Sequence, residues 1–321
     1  MEENVFAFLL NQNVENLEEK AIFINNIDQA EHISVDETNR YFSLIDLFSE
    51  DKNGEINVQL GKELLAKSFD RNIAIDVSLH QNSGATIVQQ LAIALAKAND
   101  LAEIFGAEIL KNIVFKFAVG SNYFFEIAKL RAFKLLFNQL SKEYNLNEIP
   151  FIFAETSLRN KSKNDSENNI IRASLELSSA MIGGADAVYT NDFRVENGDE
   201  LSEEISFKQQ IVLAYESIIN VFDDAGNGSY YIENITQQFA EKSWKSFLEM
   251  EENGGYSKLL KTGWIQQKIY ENAVEEQQWV EEGKIKLIGV NFYPKLEKTK
   301  SVEELYNSTK IVPVRLSEMY E

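Results

Sequence analysis

The 321-residue sequence contains no cysteine and only two histidines. Without thiols it forms no disulfide, offers no thiolate nucleophile and builds no cysteine metal site. His32 and His80 are too few for a multi-histidine centre, so any imidazole chemistry rests on one of these two positions. No apolar run approaches the ~20 residues that cross a bilayer, and the N-terminus lacks a basic stretch followed by an apolar one. Neither a membrane span nor an export signal is expected, and the chain reads as cytoplasmic. Positive charge is scarce: 31 Lys and Arg stand against 51 Asp and Glu, a net charge of −20. That field repels polyanions, which argues against nucleic acid and membrane surfaces as partners. It also opposes an anionic ligand unless basic groups gather locally.

What is present is ample for a large core, with 44% hydrophobic and 11% aromatic residues. Short apolar, β-branched runs recur at Val5–Leu9, Ala21–Ile24, Ile56–Val58, Ile73–Val77, Ile113–Val119, Pro150–Ala154 and Ala187–Tyr189. Helical patterns separate several of them, and such alternation implies parallel strands joined by crossovers. The expected fold is therefore α/β, a TIM (β/α)8-type barrel over residues 1–200 with a helical extension and connector over 201–321. A barrel of roughly 250 residues plus an extension accommodates the length. About seven candidate strands fall short of eight, so the expectation allows for an N-terminally incomplete barrel.

The helical patterns are specific. Ile87, Leu91, Ala94, Leu95, Ala98 and Leu101 form one stripe, the spacing of a helix laid on a sheet. From Asn122 to Leu140 two stripes appear, Phe124, Ile127, Ala128 and Leu135 on one and Leu130, Phe133, Phe137 and Leu140 on another, which predicts burial on both sides. A helix from Ser166 to Ile182 has capping-box spacing at Asn164 and Glu167 and a stop at Gly183-Gly184. Further helices are expected over Glu203–Phe222 and Thr236–Glu252, with the acidic run Glu275–Glu282 on a solvated face. Gly226-Asn-Gly228-Ser lacks the Gly-Lys-Ser/Thr ending of a phosphate loop and reads as a turn.

Six segments carry a resemblance. They are LHQNSGATIVQQLAIALAKAND (Leu79–Asp100), FKFAVGSNYFFEIAKLRAFKLLF (Phe115–Phe137), ETSLRNKSKNDSENNIIRASLELSSAMIGGADAVYTNDF (Glu155–Phe193), DDAGNGSYYIENIT (Asp223–Thr236), MEENGG (Met250–Gly255) and IGVNFYP (Ile288–Pro294). In this order they resemble the barrel half of the cobalamin-dependent acyl-CoA mutases, the methylmalonyl-CoA mutase family, from about Asn72 to the C-terminus. The tail Val312-Pro-Val-Arg-Leu is similar to the connector that leads into a cobalamin domain in longer members.

The resemblance carries expectations about chemistry. Members bind cobalamin through the histidine of an Asp-x-His-x-x-Gly motif on a separate domain. His32 is followed by Ile-Ser-Val and His80 by Gln-Asn-Ser, so this chain is expected to bind no cofactor itself, adenosylcobalamin belonging to a partner subunit. Registering Gly84-Ala85 on the family's Gly-Ala puts Gln81 on its Gln and Leu79 where the catalytic histidine stands. Leucine neither hydrogen-bonds a thioester carbonyl nor exchanges a proton. The alternative is a catalytic barrel that uses a separate cobalamin-binding polypeptide, with a one-residue shift restoring His80 as the acid. Asp186 stands where the resemblance places a glutamine beside the acyl group. Arg159, Lys161 and Lys163 form a basic cluster after the strand Pro150–Ala154, where barrel ligands enter. It reads either as a coenzyme A phosphate site or as a solvated loop. Lys129 and Arg131 match the family pattern and are expected to make internal ion pairs, Glu126 being one partner, while Asn168, Asn169 and Arg172 suit a polar layer at the rim. The resemblance thus implies a non-catalytic small subunit beside a catalytic large subunit in a heterodimer. Phe239, Trp244, Phe247, Leu248 and Trp264 in the extension suggest homo-association when the chain is isolated.

Overall fold

The structure is a computed structural model that describes residues 8–9, 21–35, 39–49, 54–219 and 224–321. Its strands are β1 (Phe8–Leu9), β2 (Ala21–Ile24), β3 (Arg40–Ser43), β4 (Phe48–Ser49), β5 (Glu55–Ile56), β6 (Ile73–Asp76), β7 (Ile113–Val119), β8 (Phe151–Thr156) and β9 (Ala187–Tyr189). Its α-helices are α1 (Ile27–His32), α2 (Val58–Leu65), α3 (Ser78–Asn82), α4 (Ile87–Phe105), α5 (Tyr123–Glu143), α6 (Asn168–Ile182), α7 (Glu200–Ile211), α8 (Tyr230–Glu252), α9 (Gly255–Lys261), α10 (Trp264–Glu281) and α11 (Val302–Leu305).

Strands β6, β7, β8 and β9 pair in parallel, and β1 joins β9 antiparallel. On the other flank β2 pairs in parallel with β3, which reaches β6 through parallel bridges Phe42–Arg71 and Asp46–Ala74. The sheet is strongly curled. Phe23 of β2 and Phe153 of β8 are four strand spacings apart, about 19 Å on a flat sheet, yet their ring centroids are 5.0 Å apart. Phe23, Phe42, Ala74, Val114, Phe151, Phe153 and Ala187 fill the concave side as one cluster. Ile73, Ile75, Phe115, Phe117, Ile152 and Val188 face the helices as part of another. Burial on both faces explains why these strands are near-continuous apolar runs.

The expected eight-stranded barrel does not close among the described residues: β1 and β2 lie at opposite edges, and β1 runs against the parallel set. Of the run Val5–Leu9 only Phe8–Leu9 is described. Val58, expected at a strand end, starts α2 instead, because the Asn57 side chain accepts a hydrogen bond from Leu60 N and caps a helix there.

Helix α4 buries the stripe read from its spacing, with Leu91, Ala94, Leu95, Ala98 and Leu101 fully covered. In α5 the second stripe is buried, whereas Phe124 and Leu135 of the first remain about half exposed. Helix α6 starts at Asn168 with no side-chain cap, so the expected Asn164–Glu167 box does not form. Helix α7 passes into a short π-helical stretch at Val212–Glu216, and the end of the expected helix, residues 220–222, lies outside the described residues. Phe247, Tyr256, Leu260, Ile265 and Ile269, all beyond residue 200, belong to the same core as β6–β8 and α4, and Phe239, Trp244 and Trp264 pack against it. The aromatic groups expected to form a sticky surface therefore largely face inward, and only Leu248 is substantially exposed, at 44%. No described helix is long and apolar enough to cross a membrane.

Candidate functional site

The C-terminal ends of β6, β7 and β8 converge on a cavity of about 310 Å³, the end of a parallel sheet where ligands ordinarily sit. The turn after β6 shapes one wall. Asp76 accepts hydrogen bonds from Ser78 N (2.8 Å) and Ser78 Oγ (2.6 Å), which turns the chain into α3. Gly84 then adopts φ +103°, and Thr86 with Gln89 completes a capping box that starts α4. A Cβ on Gly84 would lie 2.5 Å from the Ala273 Cβ of α10, so this glycine permits both the turn and the close approach of the covering helix.

Gln81 projects into the loop after β8, where its Oε1 accepts from Ser157 Oγ at 2.9 Å, and it lines the cavity. Asn82 Oδ1 accepts from Leu158 N at 2.9 Å. In that loop the basic cluster is resolved into three unlike residues. Arg159 is 4% exposed; its Nε donates to Glu276 Oε2 at 2.8 Å and its Nη1 to Val314 O at 2.6 Å and Tyr306 Oη at 3.2 Å. Burial disfavours its charge, but Glu276 and Tyr306 outweigh that and raise its pKa. Lys161, 1% exposed, donates to both Glu176 oxygens, at 2.7 and 2.6 Å. Burial pushes Lys161 down and Glu176 up, each toward its neutral form. Only Lys163 reaches solvent, 2.5 Å from Glu196. Arg159 and Lys161 are thus not on a solvated loop; internal carboxylates neutralise them.

Most of the remaining cavity wall was not singled out in the sequence, Glu126 being named only as a partner of Lys129. Asn272, Glu276 and Trp279 of α10, with Leu316 of the tail, cover the opening, and Phe125 and Glu126 of α5 close the far side. The signal on α10 was the i, i+4, i+7 spacing of Asn272, Glu276 and Trp279, the last two inside the run Glu275–Glu282 read as solvated. The tail is fastened across the β8 loop: Val314 N donates to Asn82 O (3.0 Å), Leu316 N to Arg159 O (2.8 Å) and Ser317 Oγ to Lys161 O (2.8 Å).

Other candidates lie elsewhere. His80 is fully buried among the helices, its Nε2 2.8 Å from the Tyr256 hydroxyl of α9, and neither it nor the half-buried Leu79 lines the cavity. His32 lies on the short helix α1, its Nδ1 2.8 Å from Asp28 O. Asp186 sits at the opposite, N-terminal end of the sheet, where its Oδ2 accepts from Ile152 N at 2.7 Å. Burial raises its pKa, against the pull of Lys134 and Arg71. It is not brought to the Gln81 wall, because it immediately precedes β9 while the cavity lies beyond the strands' far ends. Lys129 pairs with Glu126 and also donates to Ala118 O at 2.7 Å, and Arg131 pairs with Asp224 of the turn before α8. Asn169 ties the rim together, donating to Ser162 O and Phe193 O and accepting from Arg172 Nη1.

On the strands themselves, Lys116 of β7 lies between two carboxylates, 3.0 Å from Asp76 of β6 and 3.2 Å from Glu155 of β8. Burial raises the Glu155 pKa despite Lys116, while Asp76, with Lys116 and Ser78 beside it, stays below the ordinary value in spite of burial. Among the described residues no group of three or more acidic, histidine or cysteine residues is placed to hold a metal ion.

The family described as methylmalonyl-CoA mutase matches residues 66–318. The chain belongs to the methylmalonyl-CoA mutase family. It is 35% identical over 226 residues to the methylmalonyl-CoA mutase small subunit of Porphyromonas gingivalis, covering 66% of this chain and 37% of that protein. It is 31% identical over 257 residues to the methylmalonyl-CoA mutase of Rhizobium meliloti, covering 76% of this chain and 36% of the relative. The large subunit from Porphyromonas gingivalis is 29% identical over 225 residues, 66% of this chain and 32% of its own length. The chain thus spans about a third of the length of the curated relatives it matches. Relatives of the methylmalonyl-CoA mutase family include both small and large subunits.

Proposed function

We propose that this chain is a non-catalytic small subunit of an adenosylcobalamin-dependent methylmalonyl-CoA mutase, supporting a large subunit that interconverts methylmalonyl-CoA and succinyl-CoA. The observation that carries the reading is the state of the strand-end site. Arg159, the cation that lines the cavity, and Lys161 two residues on in the same loop are committed to Glu276 and Glu176. Leu79 occupies the position assigned to the family's histidine and supplies no proton. The similarity to a small subunit supports the same role. The curled parallel sheet is read as part of a mutase-type barrel, with residues 201–321 as its helical extension and connector.

Neither histidine fits cobalamin as the family holds it: exposed His32 sits in Ala30-Glu31-His32-Ile33-Ser34-Val35, without the Asp and Gly of the family's motif, and His80 is buried. A lower cobalt ligand needs an exposed imidazole nitrogen, whereas His80 is 0% exposed and its Nε2 faces Tyr256. The same contact weighs against a catalytic barrel with His80 as the acid. The cofactor is therefore assigned to the large subunit. Co-expression with the large subunit from the same source tests the reading. A stable complex is expected in which Leu79→Ala leaves turnover within about twofold and equilibrium dialysis of the isolated chain shows no saturable adenosylcobalamin binding. Absence of a complex, or micromolar cofactor binding by this chain alone, would overturn it.

A further inference from the structure

The segment Met250–Gly255 takes no part in the strand-end site, yet it holds an unusual carboxylate. Glu251, in the last turn of α8, accepts from Asn99 Nδ2 of α4 at 2.8 Å through Oε2, and Asn99 is itself oriented by the Tyr144 hydroxyl at 2.7 Å. The other oxygen, Oε1, is buried and accepts no hydrogen bond. A buried carboxylate oxygen without a donor is costly, whereas a protonated carboxyl carries its own.

The neighbours sharpen this. From α4, Asp100 and Glu103 bear on Glu251 with like charge. Asp100 Oδ2 accepts from Ser257 N (3.0 Å) and Ser257 Oγ (2.8 Å) at the start of α9, and a Cβ on Gly255 would lie 2.5 Å from Oδ1, so the turn sits directly on this side chain. Lys97, the nearby cation of α4, is engaged with Asp46 at 2.8 Å, and Lys258 of α9 lies over Gly254 instead. Glu249 and Glu252 of α8 add negative charge at a helix C-terminus, where the macrodipole already disfavours anions. Tyr144, the residue after α5, brings its hydroxyl into this cluster through Asn99. Burial first, then Asp100 and Glu103, raise Glu251 to about 7, and burial also raises Asp100.

We propose that Glu251 is a proton-operated latch: neutral, it seats the end of α8 and the following turn on α4; ionised, it faces Asp100 and Glu103 and loosens that joint. The joint leads through α9 to α10, whose Asn272, Glu276 and Trp279 cover the strand-end cavity, so its looseness is passed to that cover. The inference is independent of the subunit role.

Linkage gives the sign. A carboxyl whose folded pKa is raised binds its proton more tightly in the closed joint, so closure weakens as pH rises from the ordinary glutamate value toward about 7 and levels off above it. Hydrogen exchange of the amides of residues 253–258 in the full chain, corrected for intrinsic rates, tests this between pH 5 and 8. Protection is expected to fall several-fold per unit up to about pH 7, tenfold being the limit for one proton. Glu251→Gln should remain protected at every pH, and Asp100→Asn should move the midpoint lower. A Glu251→Gln profile that matches the wild type would overturn the latch. So would a Glu251 carboxyl carbon-13 resonance that titrates at the ordinary glutamate value, a readout that depends on no variant.

Discussion

Arg159 Nη2 lies 2.7 Å from Glu276 Oε2, and this pair joins the loop after β8 to α10 across the mouth of the strand-end cavity. Because Arg159 also donates to Val314 O and Tyr306, one side chain holds loop, helix and tail together. Arg159→Ala should destabilise the chain by about 3 kcal/mol in urea unfolding, the lower end for breaking a buried pair, since Glu276 keeps partial access to water. Proteolysis between Tyr306 and Arg315 should accelerate in the same variant. Unchanged stability would mean that the tail is held by its backbone bonds alone.

Gly84→Ala sets a positive φ against a Cβ contact with α10. The expected loss is roughly 2–4 kcal/mol, combining backbone strain with overpacking. Acrylamide quenching of Trp279, read as the difference from Trp279→Phe, should rise as α10 is pushed outward. Gly106→Ala offers the control: it also has positive φ, but a Cβ there meets no neighbour, so it should show strain without a change in quenching.

Removing the cation between Asp76 and Glu155 should produce a pH-dependent defect. Lys116→Met leaves two carboxylates facing each other on the strands and should cost about 3–5 kcal/mol at pH 7. Glu155, already raised by burial, would then take up a proton more readily. The deficit is therefore expected to shrink at pH 5, because the variant's folded state binds more protons than its unfolded state over that interval. Urea melts of both proteins at pH 5 and 7 measure it.

The aromatic residues of α8 should act on stability rather than on association. Phe247 is 4% exposed and belongs to the core, so Phe247→Ala should cost about 3–5 kcal/mol in the isolated chain. Leu248→Ala, at a 44% exposed position, should stay within about 0.5 kcal/mol. Sedimentation alongside thermal melts separates the two effects.

Local pattern alone revealed much of this protein. The stripe on α4, the absence of thiols and the strands β6 to β9 all follow from spacing and composition. Burial on both faces leaves those strands little room for polar residues apart from Asp76 and Glu155 near the ends of β6 and β8 and Lys116 in the middle of β7 between them. The pairing of Lys129 with Glu126 was also legible, because three residues on a helix bring them together. What spacing does not carry is the partner chosen across the fold. Arg159 finds Glu276 117 residues away, and His80 finds Tyr256 176 residues away. Only the packing of α9, α10 and the tail over the strand ends turns an apparent basic loop into a neutralised one, and makes His80, in the turn after β6, a core residue. Sequence therefore determined the family, the strand-helix rhythm and the presence of a leucine, with no imidazole, at position 79. Tertiary structure decided which charges remain available to a ligand, because that depends on which carboxylates folding brings within hydrogen-bond reach.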